Sequence, residues 1–261
     1  MVGIGLAAGL AFGPIAALAE DRADSIETDR PDKANSATTV PRGAFQIESG
    51  IAYSRQSLAA EPTQRTTSLE LTLRVGLTPS LEVRLDGEPV VHMRTDESVT
   101  NVGDLRLGLK YRFVDPREGS WWPALAILPY VKLPSAPAPI GSERTDFSIT
   151  GIASFDFPAD FSLDVNGGIA ALGQRDPSGY LAQATAAASL SKTLLHDLVV
   201  YVELFYSSRD TWDSRYGLGT GTGMLYRIGR RAAVDLGVEF SLAGQSPDYT
   251  IRSGFSIRFG R

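Results

Sequence analysis

The 261-residue chain has no cysteine, which removes any disulfide framework and any thiolate metal site. Histidine is nearly missing as well, His92 and His196 being the two in the chain. Past residue 19 no apolar run approaches the ~20 residues that a membrane-crossing helix needs, so a helical membrane protein is not expected. Basic clusters are also lacking. The 25 Lys and Arg are scattered singly against 30 Asp and Glu, a formal charge of −5, and that balance argues against nucleic acid as a partner. A mean hydropathy near zero would suit a soluble protein, yet it also suits a chain in which every second residue of each strand is polar.

Alternation of that kind fills the sequence. Leu69, Leu71, Leu73 and Val75 alternate with Glu70, Thr72 and Arg74, and Leu81, Val83, Leu85 alternate with Glu82, Arg84, Asp86. Leu105, Leu107, Leu109, Tyr111 and Phe113 face away from Asp104, Arg106, Lys110 and Arg112. Side chains of a strand point to opposite faces with period two, so each run has one apolar and one charged side. Similar runs begin near Phe45, Phe147, Phe161, Leu198, Tyr216, Val234 and Tyr249, and weaker ones span Ala124 to Leu133 and Tyr180 to Leu190. The count is twelve, and many runs reach the ~9–11 residues that a tilted strand needs to cross a bilayer.

An even count lets a single-chain barrel start and finish on the same side. With the first strand outbound, the far-side connections fall at 55–65, 92–101, 134–144, 173–178, 209–214 and 243–247. Those of the near side, 77–80, 114–122, 158–159, 192–196 and 229–230, are shorter apart from the second, as expected for periplasmic turns against outer loops. Aromatic residues sort the same way. Phe45, Tyr111, Phe113, Trp121, Trp122, Phe155, Phe157, Phe161, Tyr226 and Phe259 fall at near ends, and Tyr53, Tyr180, Tyr206, Tyr216 and Tyr249 at far ends. Two belts are what interfacial rings produce. The expected fold is therefore all-β, a transmembrane antiparallel up-and-down β-barrel of about 12 strands, in the outer membrane of a Gram-negative bacterium.

Residues 1–19 carry no charge, are rich in Leu, Ile and Ala, and end in Ala17-Leu18-Ala19 before Glu20. They read as a cleaved signal peptide, although no Lys or Arg opens the run, as expected if translation starts upstream. An uncleaved membrane anchor is the alternative, opposed by the Gly13-Pro14 break. Residues 20–43 form a charged, irregular periplasmic segment, and 44–261 the barrel. Pro31 and Pro41 hold the segment's backbone extended, and Glu27, Asp29, Arg30 and Asp32 make it a mixed-charge cluster. Folded back, it would pair with lumenal Arg84, Arg106 or Arg112 and act as a plug, with Asp29 and Asp32 as anchoring carboxylates beside Arg30. A disordered leader is the competing reading.

Thr28-Asp29-Arg30-Pro31-Asp32, Val40-Pro41-Arg42-Gly43 and Phe45-Gln46-Ile47-Glu48-Ser49-Gly50 resemble the opening of an outer-membrane barrel family known as transporters or meta-pathway phenol degradation proteins. Gly103-Asp104-Leu105, Gly108-Leu109-Lys110-Tyr111-Arg112-Phe113 and Leu128-Pro129 through Lys132-Leu133-Pro134 are similar to its middle motifs, and the resemblance runs from about 26 to 259. It implies an outer-membrane barrel passing small compounds, aromatic ones included, and identifies no solute. One departure is that Gly260-Arg261 follow Phe259, where barrels commonly end on an aromatic residue for the barrel-assembly machinery.

Catalytic constellations are not found. His92 in an outer connection and His196 in an inner turn fall at opposite faces and cannot share a metal or substrate, and no nucleophile stands beside a base. Gly217, Gly219, Gly221 and Gly223 repeat with period two and no Lys-Ser follows, so they form the inward face of a strand and not a phosphate loop. Neither cofactor nor metal is expected. The candidate lumen has two unlike walls. One carries Glu70, Arg74, Glu82, Arg84, Asp86, Glu88, Asp104, Arg106, Lys110 and Arg112; the other carries Tyr201, Glu203, Phe205, Gly219 and Gly221. Confined charges must pair or stay hydrated, so two lumens fit: one closed by its own ion pairs, or one with a narrow path along the glycine and aromatic wall. Three functions follow: a passive channel for small organic molecules, a closed structural or adhesive barrel, and an enzyme that lacks its residues. The expected partners are outer-membrane lipid, the barrel-assembly machinery and an unidentified small-molecule solute.

Overall fold

A computed structural model describes residues 25–58, 61–117, 120–195 and 197–260. The expected export signal, residues 1–19, and His196 lie outside the described residues. The period-two runs fold into strands β1 (Phe45–Leu58), β2 (Glu61–Thr78), β3 (Leu81–Arg94), β4 (Ser98–Asn101), β5 (Leu105–Val114), β6 (Ala124–Leu133), β7 (Asp146–Phe157), β8 (Phe161–Arg175), β9 (Ser178–Thr193), β10 (Leu198–Ser207), β11 (Gly217–Ile228), β12 (Ala232–Gly244) and β13 (Tyr249–Phe259). All pairings are antiparallel, and β1 is bonded both to β2 and to β13, Phe45 opposite Phe259, which closes the sheet on itself. The short β4 and the longer β5 both pair with β3, so they are two pieces of one stave. Thirteen strands with that pair counted once give a closed barrel of twelve.

Exposure is inverted relative to a soluble domain. Ile169 and Val202 are 67 % and 56 % exposed, whereas Glu82 and Lys110 are fully buried. The outward apolar side chains thus form a lipid-facing band, and each inward polar group needs a partner inside the barrel. The aromatic residues cap this band in pairs. Phe45 stacks with Phe259 at a centroid distance of 6.3 Å at the near end, where the barrel begins and finishes. At the far end Tyr53 meets Tyr249 at 6.1 Å and Tyr206 meets Tyr216 at 6.2 Å.

Loop lengths differ from the sequence expectation. β1 runs to Leu58 and β2 starts at Glu61, while the connection between β3 and β4 is only 95–97 and that between β8 and β9 only 176–177. Much of what reads as outer loop is strand continuing past the apolar band. Beyond the bilayer both faces of a strand can be polar, so the alternation that marks a strand in lipid disappears there although its backbone pairing continues. His92 accordingly lies in β3, bonded to Thr100 of β4 at 2.8 Å, and not in a loop.

Candidate functional site: a lumen occupied by the N-terminal segment

Residues 25–44 enter the barrel from the near end, climb to mid-lumen at residues 30–35 and return to the rim. At the base the Arg227 guanidinium donates to the Ile26 carbonyl at 3.3 Å and pairs with Glu27 at 2.9 Å. On the return the Val40 N–H donates to Glu82 at 2.7 Å, and Gly43 N–H reaches the Gly76 carbonyl at 2.8 Å. Apolar contacts fix both limbs. Ile26, fully buried, packs with Leu225 and Ala233, and Ala37 joins Ala124, Ala126, Leu128 and Ile152.

Two ion clusters hold the middle of the segment, and in each the charges cancel. In the first, the Asp29 carboxylate receives Lys110 at 2.7 Å and the Arg84 guanidinium, with Arg74 3.6 Å away. Arg74 in turn pairs with Glu48 at 2.7 Å and Glu82 at 2.9 Å. Asp29, Glu48, Glu82 and Asp86, the last 3.8 Å from Arg84, thus face Arg74, Arg84, Lys110 and, across Asp86, Arg106. The cations also donate to the segment's backbone: Lys110 to the Ser36 carbonyl at 2.8 Å and Arg74 to that of Thr38 at 3.4 Å. In the second cluster Arg30 binds Glu70 and, at 3.4 Å, Asp235; Arg252 binds Glu239 and, at 3.1 Å, Glu70; and Lys33 reaches Glu239 at 3.3 Å. Here three cations meet three carboxylates.

Glycines provide the seats. The Arg30 guanidinium lies against Gly50 and Gly254, which face each other across the β1–β13 seam, and a Cβ on either would collide with it. Pro31 covers Gly237, where an added Cβ would stand 3.2 Å away, and the Val40 and Pro41 carbonyls close on Gly76. A side chain at Gly50 or Gly254 would displace the Arg30 guanidinium, one at Gly237 would crowd Pro31, and one at Gly76 would meet the segment's backbone, so the segment and the β1–β2 and β12–β13 walls fit one another closely.

The predicted site residues divide accordingly. Asp29 and Arg30 make ion pairs to the wall, Arg84 being among the partners of Asp29. Asp32 makes no ion pair among the described residues; the groups that act on it most strongly are Ser189, Glu203, Asp164 and Asp29. Arg106 makes no ion pair with the segment among the described residues; it pairs with Asp86 at 3.7 Å, its guanidinium 5.5 Å from the centre of the Tyr130 ring. Arg112 stays at the near rim with Asp115 at 2.8 Å and donates to the segment at the Thr39 hydroxyl, 3.4 Å away. Asp104 belongs to the far rim, where Lys132 bridges it, at 2.9 Å, to Asp146, at 2.8 Å. Along the glycine wall the inward side chains lie close against the strand. Tyr201, Glu203 and Phe205 of β10 lie flat across Gly223, Gly221 and Gly219 of β11, their directly paired neighbours, and occupy the space those glycines leave. Sequence reasoning missed Gln46, Glu48, Asn166, Asp235, Glu239 and Arg252 as partners, although each sits at an inward position of its run.

Above the segment a cavity of about 460 Å³ occupies the far half of the lumen. Lys33 and Asn35 form its floor, and its walls include Thr66, Ser68, Thr185, Phe205, Glu239 and Arg252. A second cavity of about 270 Å³ opens where the wall is interrupted: β3 leaves β5 after Asp86 and meets β4 again only at Val91. Between those points one backbone bond, Gly103 N–H to the Glu88 carbonyl at 2.7 Å, crosses the gap. The recess is lined by outward Leu71, Leu73, Leu85 and Leu105 with Val102 and Pro89, and Glu88 borders both cavities. No group of three or more potential metal ligands occurs among the described residues.

With the geometry in place, comparison with other proteins is decisive on family. Residues 28–259 match the family described as "Putative MetA-pathway of phenol degradation". The chain belongs to that family. The match begins at Thr28, inside the segment that fills the lumen, so the phenol-degradation family signature covers the segment together with the barrel. No curated protein matches. Among solved structures, an outer membrane channel from Pseudomonas putida F1 superposes with a TM-score of 0.71 at 14 % identity, over 89 % of this chain and all of the other. The translocator domain of the autotransporter NalP from Neisseria meningitidis gives 0.55 at 11 % identity over 84 % and 90 %, and the NanC porin 0.55 at 8 % over 82 % and 98 %. These likenesses establish the outer-membrane barrel fold that the family member adopts.

Proposed function

We propose that this chain is an outer-membrane channel for small organic molecules, closed at its periplasmic end by the N-terminal segment. The observation that carries the reading is the far-side cavity of about 460 Å³, large enough for a small solute and floored by Lys33 and Asn35 of that segment. Passage then requires residues 25–44 to yield, and their polar, charge-cancelled attachment suits such a rearrangement better than an apolar core would. The apolar recess beside Glu88 supports hydrophobic or aromatic solutes as the class, since it joins the lipid-facing wall to the border of the cavity. The P. putida relative, a channel by its description, supports the same reading. The channel and the porin among its solved neighbours support reading the chain as a non-enzyme.

A closed structural barrel is the second reading, favoured by the two neutral ion clusters that fill the near half of the lumen. Solute entry into liposomes separates the two. Vesicles carrying the protein should admit small uncharged aromatic solutes faster than protein-free vesicles; equal rates for every solute would leave the structural barrel.

A further inference from the structure

The outer face of β1, β2 and β3 carries three arginines in direct register at the far end. Arg55 lies opposite Arg65, and Arg65 opposite Arg94. All three are on the side of the wall that carries Ile51, Leu69 and Val90, the lipid-facing side. Arg65 and Arg94 are exposed, and their side chains make no hydrogen bond or ion pair among the described residues. Arg55 has one carboxylate in reach, Asp248 at 3.8 Å, and Asp248 is already held by the Ser57 hydroxyl at 2.7 Å. Asp96 and Glu97 occupy the turn after Arg94, and no ion pair joins either to the row. Like charges directly opposite on neighbouring strands repel, so the row costs the isolated barrel stability, and among the described residues only Arg55 of the three has a carboxylate partner.

The height of the row explains what could supply further counter-charge. Arg55 lies ten residues beyond Phe45 on β1; at ~3.3 Å per residue and a strand tilt of ~40° this is about 25 Å along the membrane normal, the height of the apolar band. Tyr53 and Tyr249, the far aromatic pair, stand beside the row. The guanidinium groups therefore sit at headgroup level, where bidentate donors select phosphate.

We propose that Arg55, Arg65 and Arg94 form a binding surface for the phosphate groups of a phosphorylated glycolipid of the outer leaflet. The proposal takes from the functional reading only that the far end faces outward. Binding in detergent solution does not depend on orientation or on transport, so its failure would leave the channel reading untouched. The test is calorimetric titration of the full chain in detergent with bisphosphorylated lipid A. Binding should weaken about fivefold for each arginine replaced, the equivalent of ~1 kcal/mol per basic residue near a charged surface, and about a hundredfold in R55Q/R65Q/R94Q. Arg175→Gln, at the same end but already paired with Glu143, should bind like the parent. A second readout guards against misfolding. Without lipid, Arg65→Gln should melt at the same or a higher temperature than the parent because a repulsion is relieved, and with lipid A the order should reverse. Equal affinity of parent and triple variant would overturn the proposal. So would equally tight, arginine-dependent binding of inorganic phosphate or phosphatidylglycerol, which would make the row a general anion site.

Discussion

Asp29 sits where three cationic side chains converge, and its own N–H is held by Glu48 at 3.2 Å. Because the cluster is neutral as a whole, replacing Asp29 by asparagine leaves one buried positive charge uncompensated. Removing one partner from a buried ion group costs about 3–5 kcal/mol. Asp29→Asn should lower the urea midpoint of the barrel in lipid vesicles by a corresponding amount, whereas Asp32→Asn, with no ion pair to lose, should change it little; equal losses would contradict the assignment of Asp29 as the anchor. At this scale the sequence was only partly legible. The inward set of Arg74, Arg84, Lys110 and Asp86 follows from period-two alternation, and the mixed charge around Asp29 points to a segment that needs partners. The choice of partner does not follow, because strand register and the height reached by an irregular segment decide which cation meets which carboxylate. Ile26 and Ala37, the apolar anchors, were hidden for the same reason: in a segment with no repeat nothing marks a buried side chain.

Among the elements, β10 and β11 show how a row of glycines closes space instead of opening it. Four glycines at alternate positions leave a groove on the inner face of β11, and the larger side chains of β10, directly paired with them, lie down into it. Gly221→Val would force the Glu203 side chain out of its place. Overpacking of this kind costs about 1–3 kcal/mol, and the expected result is a lower unfolding midpoint in vesicles with the barrel still closed; a variant as stable as the parent would mean that the groove has room to spare. The alternation identified β11 and the inward direction of its glycines, but a single strand read alone cannot say whether its neighbour fills the gap. The divided stave of β4 and β5 escaped notice on similar grounds. Its outer piece, Ser98–Asn101, is four residues long and stands above the apolar band, where no alternation distinguishes strand from loop.

For the whole molecule, strand number and closure were legible because every lipid-crossing run repeats the same physical requirement, one apolar face and one satisfied polar face. Orientation rests on which end holds the N-terminal segment. Single cysteines at Ser57, Thr95 and Ser178 should react with an impermeant thiol reagent on intact cells and one at Ser80 should not; labelling at Ser80 alone would invert the barrel. That the near half of the lumen is filled by residues 25–44, and that this filling controls passage, is the central claim. Single-channel recording in planar bilayers, comparing the full chain with a chain lacking residues 21–36, tests it most directly. Both proteins should first show the electrophoretic mobility of a folded barrel. The account then predicts small or infrequent openings for the full chain and larger or more frequent ones for the deletion, and identical currents from the two would contradict it.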